Sequence, residues 1–170
     1  NDRPQWLVIK GGSKQYTLKL IESFKNNIRI NSPVDKIIRK NEGIEVVFNK
    51  QQKELYDRVI IGTHSDQALK MIENPSHEER EILSAIPYQT NVAHMHWDCS
   101  VLPKQKNAWA SWNYFKPNKL KDETTVTYYM NMLQSLNIPR NVCVSLNIEE
   151  HIDPKKIYKK IIYQHPVFTS

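Results

Sequence analysis

One stretch constrains this chain more than any other: Trp6-Leu7-Val8-Ile9-Lys10-Gly11-Gly12-Ser13-Lys14-Gln15-Tyr16. A short apolar run breaks on two adjacent glycines, and an amphipathic segment starts at once behind them. Glycine takes positive φ without steric cost and lets another backbone or a ligand come close, so the pair marks a tight strand-to-helix turn. Residues 6–9 are expected as a strand. Residues 16–24 are expected as a helix, because Tyr16, Leu20 and Phe24 recur every four residues and Ser13 is a fair N-cap. The turn either cradles a phosphate or reverses the chain. No Gly-x-Gly-x-x-Gly occurs in the sequence, and that fingerprint is what places a pyrophosphate loop in a dinucleotide fold.

Downstream, Ile28-Arg29-Ile30 reads as a short strand and Asn31-Ser32-Pro33 as a break, after which residues 34–39 resume extended. Asn41-Glu42-Gly43 is a hairpin turn, since its glycine can take the left-handed position a bulged loop needs. Residues 44–48 return as a strand. The polar residues 49–53 form a turn, and residues 56–62 form an apolar run of the kind a strand buried on both faces shows. Ser65 or Asp66 caps a helix over 67–72. Pro75 and Ser76 start another, running to about Ala85, with Glu78 and Glu79 in its favoured first turn. Four strands follow, over 90–97, 109–114, 124–131 and 142–146. Asp153-Pro154 then opens a last, basic helix, with Asp at the N-cap and Pro at the first helical position. The fold class is α+β: a hairpin and a buried strand with helices, then a mostly antiparallel sheet decorated by helices.

The net charge of +6 raises a nucleic-acid partner, but the lysines are scattered. Their densest cluster, Lys155, Lys156, Lys159 and Lys160, fits one helical face, which is either solvated or turned to an anionic partner. No nucleic acid is expected. No apolar run reaches the roughly 20 residues of a membrane span, although peripheral membrane contact stays open. Cys99 and Cys143 are too isolated for a disulfide framework, so a reducing cytoplasm is expected. With no initiator Met and an end in mid-element at Ser170, the sequence reads as an excised piece. Its 170 residues hold one core or two unequal lobes.

The order Gly-Gly, helix, Pro33-Val34, hairpin, Asp57-Arg58-Val59-Ile60-x-x-Thr63, helix, Pro resembles the middle of a flavin-dependent amine oxidase. Four runs are similar to a bacterial branch of that superfamily, predicted FAD/NAD-binding proteins without a settled substrate. They are Trp6…Gly11-Gly12-Ser13, Gly62-Thr63-His64-Ser65-Asp66-Gln67-Ala68-Leu69, Ala110-Ser111-Trp112-Asn113-Tyr114 and Asn131-Met132-Leu133-Gln134. Relatives of the branch include the oxidase-like half of plant cyclopropane fatty acid synthases. The resemblance implies a fragment of a two-domain flavoprotein that uses FAD. Residues 1–10 would be a strand of the substrate domain, 11–72 the central part of the FAD-binding domain and 73–170 the substrate-binding domain. The dinucleotide fingerprint and the motif beneath the flavin ring are then expected outside the chain, so these residues alone would bind FAD weakly or not at all. Gly11 and Gly12 become a crossing point between lobes, beside the flavin.

The resemblance also implies site residues. Val34 matches the valine whose backbone contacts the FAD adenine; read without the resemblance, it is equally a core valine after a proline turn. Thr63 and His64 follow the apolar run at its C-terminal end, where α/β sheets place ligands. Trp112, Asn113, Tyr114, Tyr128, Tyr129 and Asn131, with Asn91, are either a substrate pocket of rings and amides or an aromatic sheet face packed as core. The substrate-binding assignment falls on Trp112, Asn113, Tyr114, Tyr129 and Asn91. Many amine oxidases carry a lysine on the strand that here holds Ala93 and His94, a departure that puts standard amine oxidation in doubt. His94-x-His96 places two imidazoles on one strand face, but no metal is expected without a further ligand signal. The implied function is an FAD-dependent oxidoreductase acting on a small molecule, with an apolar or lipid-like substrate expected. The rival is a non-catalytic binding protein that keeps the fold. The sequence is silent on catalytic residues, electron acceptor and oligomeric state.

Overall fold

The glycine pair does make the turn its composition requires. A computed structural model of the chain describes residues 7–114 and 125–168, and in it Gly11 and Gly12 take φ of 82° and 83°. The turn closes through the Gly12 amide, which donates to the Ile9 carbonyl at 2.9 Å. Helix α1 (Ser13–Leu20) follows, with Gly12 rather than Ser13 at its N-cap. It stops four residues before the expected end: α1 buries no residue, so packing does not extend it into Ser23 and Asn26, which are weak helix formers. Residues 7–9 do not form the expected strand, and Trp6 lies outside the described residues. They pair with none of the described strands, and Leu7 stays 80% exposed.

The chain divides into two units, the described parts of Asn1–Ser23 with Thr90–Gln164 and of Phe24–Gln89 with His165–Ser170. The second unit holds an antiparallel meander, β1 (Val34–Lys40), β2 (Gly43–Phe48) and β3 (Gln52–Tyr56). Gly43 is required at the start of β2, since a Cβ there would meet the Tyr56 carbonyl oxygen at 2.7 Å. Between β2 and β3, Asn49 and Lys50 adopt φ of 50° and 69°, so the expected turn is there but shorter. Strand β3, a polar edge, takes up residues 52–56. Residues 28–30 are not a strand, and Ile30 is left exposed. Residues 57–62 are not one either. A strand buried on both faces needs partners on its edges, and none of the described strands pairs with this run.

Helix α2 (Ser65–Met71) packs on β1 and on α3 (His77–Ser84). Its N-cap is His64; Ser65 and Asp66 sit in the first turn rather than at the cap. Helix α3 starts with a reciprocal capping box: Ser76 Oγ accepts the Glu79 amide at 3.2 Å, and Glu79 Oε2 accepts the Ser76 amide at 2.8 Å.

A five-stranded antiparallel sheet dominates the rest. Its strands are β4 (Tyr88–His96), β5 (Trp112–Tyr114), β6 (Val126–Tyr129), β7 (Cys143–Leu146) and β8 (Ile157–Pro166), in the order β5-β6-β7-β4-β8, with α4 (Met130–Leu133) after β6. The expected basic helix at the end is β8 instead. Asp153 does cap, accepting the Lys155 amide at 3.0 Å, but only one 3-10 turn forms, Pro154–Lys156. β-Branched and aromatic residues (Ile157, Tyr158, Ile161, Ile162, Tyr163) favour a pleated surface, and β4 offers them an edge. Val101, Ile148 and Ile152 form a buried apolar cluster, with Ile157 packed against it.

Candidate functional site

The second unit contains a groove of about 530 Å³ between its sheet and α2, lined among others by Val34, Val46, Ile60, Gly62, Thr63 and Gln67. Two residues separated by 29 positions, Val34 and Thr63, are thereby brought together. The volume falls within the ~300–1,000 Å³ of small-molecule sites. His64 is used elsewhere: its ring stacks on Tyr88 at 4.5 Å and 15°, while the Tyr88 hydroxyl accepts the Ser65 amide at 2.9 Å. That contact fixes the start of α2. Gly11 and Gly12 belong to the first unit.

In the first unit, alternation along β5 separates the proposed pocket residues. Trp112 and Tyr114 are exposed, while Asn113 is buried on the opposite face. The Asn113 carboxamide is fully used, accepting the Ala110 amide at 3.1 Å and donating to the carbonyls of Ala110 (2.6 Å) and Thr127 (3.3 Å). Tyr129 donates to Asn141 Oδ1 at 2.8 Å, and Asn91 Oδ1 accepts from Asn147 at 2.7 Å. Trp112, set edge-on to Tyr128 at 5.7 Å, borders a cavity of about 620 Å³ with Leu7, Val8, Ser111, Met132 and Leu133.

The buried face of this sheet carries a polar row that sequence reasoning missed. Thr127, Ser145 and His96 are fully buried and lie on adjacent strands. The Asp98 amide donates to His96 Nδ1 at 3.2 Å, which assigns the imidazole proton to Nε2. Nε2–H then donates to Ser145 Oγ at 2.8 Å, and the Ser145 and Thr127 hydroxyls share a hydrogen bond at 2.7 Å. The direction matters: His96 has no lone pair free to take the Ser145 proton, so this is not an activated nucleophile. Only the His-x-His spacing hinted at the row; a serine and a threonine in strands carry no signal.

His94, one turn of the pleat away, is equally buried, and neither ring nitrogen makes a hydrogen bond. Nε2 lies 3.5 Å from Glu149 Oε2, itself held by Lys160 at 2.6 Å. Burial pulls the pKa of both histidines below the ordinary value, opposed by Glu149 at His94 and by Asp98 at His96. No group of three or more His, Cys, Asp or Glu among the described residues is arranged to hold a metal. None of the described helices is long and apolar enough to cross a membrane.

Both cysteines are free, Cys143 buried and Cys99 partly so. Burial raises both thiols, Cys143 to about 12. The thiolate is the reactive form, so Cys143 is expected to resist iodoacetamide at pH 8 in the native protein and to react readily in denaturant. Mass spectrometry of the alkylated peptides checks this; rapid native labelling of Cys143 would mean β7 is not packed as described.

The sequence pattern of the flavin containing amine oxidoreductases matches residues 1–151. No curated protein matches the chain. Among solved structures, it is similar to a putative protoporphyrinogen oxidase from Exiguobacterium sp. 255-15, with a TM-score of 0.65, 12% identity, and coverage of 98% of this chain and 43% of that one. A CLA-producing fatty acid isomerase from P. acnes gives 0.61, 13%, 89% and 39%. Putrescine oxidase bound to putrescine gives 0.57, 12%, 91% and 38%. The chain thus spans about two fifths of the length of these enzymes.

Proposed function

Since the chain belongs to the flavin-containing amine oxidoreductase family, we propose that it is the central and substrate-lobe portion of an FAD-dependent oxidoreductase acting on an apolar or lipid-like substrate. The family match over residues 1–151 carries this reading. The FAD lobe is assigned to about 11–72, most of it in the second unit, and the substrate lobe to 1–10 and 73–170.

The groove residues fit the cofactor. Val34 begins β1, where a strand end offers backbone groups to an adenine, and Thr63 faces the same groove. Gly11 and Gly12, assigned to the cofactor by the family order of elements, give a turn without side-chain bulk. FAD, when bound, supplies the hydride acceptor; the protein binds, orients and shields. On the substrate side, Trp112 and the Met132–Leu133 cavity wall are the groups free to touch an apolar ligand, a reading in keeping with a fatty acid enzyme among the structural neighbours. Asn113 and Tyr129, on β5 and β6, then hold the strands that carry that wall, while Asn91 is engaged with Asn147. Two free cysteines suit a reducing cytoplasm.

The full-length protein is expected to purify yellow with stoichiometric FAD, and Trp112→Ala to slow flavin reduction by its substrate about 10-fold or more, the scale of a lost aromatic contact of ~1.5 kcal/mol. A colourless protein that takes up no FAD would favour the second reading, a binding protein that kept the fold and lost the chemistry. What motivates that reading is the β4 position where many amine oxidases carry lysine, which the resemblance gives to Ala93 or its neighbour His94. Unchanged reduction in the variant would remove Trp112 from the site.

A further inference from the structure

Strand β4 ends in a turn that folds back over the buried face of its sheet. The Asp98 amide reaches His96 Nδ1 at 3.2 Å, Asp98 Oδ1 holds the Ser100 amide at 3.0 Å, and the Leu102 amide closes on the Cys99 carbonyl at 3.1 Å. The strand registers set Cys143 of β7 between His96 of β4 and Tyr129 of β6. The turn therefore brings Cys99 onto Cys143, and the two thiols share a hydrogen bond. Asn141, which accepts the Tyr129 hydroxyl at 2.8 Å, also hydrogen-bonds the Cys99 thiol. The two sulfurs differ in access: Cys143 is fully buried, whereas Cys99 is only partly so. Val142, next to Cys143, anchors α4, its carbonyl accepting the Met130 amide at 2.9 Å and its amide donating to Asn131 Oδ1 at 2.8 Å.

We propose that Cys99 and Cys143 are a reversible disulfide site, in which a hydroperoxide oxidises Cys99 and Cys143 closes the bond, tying the turn after β4 to β7. With hydrogen peroxide, the Cys99 sulfur, as thiolate, takes one peroxide oxygen. The O–O bond breaks and the other oxygen leaves as water with the thiol proton, so Cys99 becomes a sulfenic acid. The Cys143 sulfur then attacks the sulfenic sulfur: the S–S bond forms, the S–O bond breaks, and the hydroxyl departs with the Cys143 proton as a second water. Two thiols have then given two electrons to one peroxide. Access sets the order, since Cys99 alone of the pair meets solvent. Burial holds both thiols above the ordinary value, which makes the first step slow at neutral pH. The second is intramolecular between neighbouring sulfurs, so it competes well with further oxidation to a sulfinic acid. The pair therefore answers sustained oxidation rather than a brief exposure. The step involves neither the flavin nor the Trp112 cavity.

The test treats the full-length protein with hydrogen peroxide and reads its peptides by mass spectrometry without reduction. The expected product is a linked Cys99–Cys143 peptide pair, two hydrogens lighter than the separate thiols, which dithiothreitol returns to both. Its rate of formation is expected to rise about 10-fold from pH 7 to pH 8, as for a thiol that ionises above that range. In Cys143→Ser, Cys99 is expected to stop at the sulfenic acid, trapped by dimedone, and then to pass to the sulfinic acid. A sulfinic acid at Cys99 of the unaltered protein, with Cys143 still a thiol, overturns the proposal. So does a disulfide joining either residue to a different cysteine, or the survival of both thiols under peroxide that oxidises them in denaturant. A rate unchanged between pH 7 and pH 8 overturns it as well, because the attacking sulfur would then already be ionised. Should Cys143→Ser not fold, the linked peptide in the unaltered protein decides: its presence supports the site and its absence excludes it.

Discussion

Replacing Asp98 with alanine is expected to cost the full-length protein about 3 kcal/mol of stability. Asp98 is 3% exposed, and its carboxylate accepts the amides of Ser100 at 3.0 Å and Asp153 at 2.9 Å and the Lys156 ammonium at 3.1 Å. It ties the end of β4 to the segment that enters β8. Alanine leaves two amides without an acceptor at ~1–3 kcal/mol each, while the half-exposed Lys156 turns to solvent at little cost. Burial pushes the Asp98 pKa up, but the two amides and Lys156 outweigh it and bring the folded value to about 2. Its unfolded value is ~3.9. The unfolded chain therefore binds the proton first, and this contribution is complete above pH ~5 and lost as pH falls through about 2, a difference of roughly 2–3 kcal/mol. Urea unfolding at pH 7 and pH 3 checks both statements. An Asp98→Ala midpoint equal to that of the unaltered protein would mean the network does not hold the two segments.

What the sequence made legible divides along physical lines. The β1–β2 hairpin was readable because Gly43 and the apolar run behind it encode it locally, and α3 because Ser76 and Glu79 stand at capping-box spacing. Strand β3 was not, since an edge strand with an outward-facing polar sequence looks like a turn. The terminal element failed for the opposite reason. Asp153-Pro154 is a true helix-start signal and does form one turn, yet the isoleucines behind it pair with the β4 edge, and tertiary pairing overrides a local start. In the candidate site, Val34 and Thr63 could be placed together only through the family order of elements. The Trp112-Asn113-Tyr114 run shows the limit of grouping by sequence: a strand sends neighbours to opposite faces, which turns Asn113 inward. Of the Thr127–Ser145–His96 row, only the His94-x-His96 spacing showed in the sequence, because three strands distant in sequence assemble it.

That row supports a second large effect. Ser145→Ala removes the acceptor of His96 Nε2–H and the partner of Thr127 in a fully buried setting. Orphaned buried groups cost ~1–3 kcal/mol each, so a loss of about 2–3 kcal/mol is expected, against less than ~1 kcal/mol for Ser145→Thr if the extra methyl fits, since the hydroxyl survives. The same burial makes stability depend on pH. His96 and His94 both have folded-state pKa values lowered by burial, so the unfolded chain binds protons first as pH falls below ~6.5. Stability is thus full above that value and declines through the interval down to the lowered folded pKa. Once protonated, His94 gains from Glu149, yet Lys160 stands beside the same carboxylate, so the ion pair offsets only part of the loss. Urea midpoints measured from pH 7.5 to 5 should fall, and fall less in the His96→Gln variant, which keeps an amide donor and removes one titration. A flat profile in the unaltered protein would show that the imidazoles are hydrated or paired rather than held neutral inside the sheet.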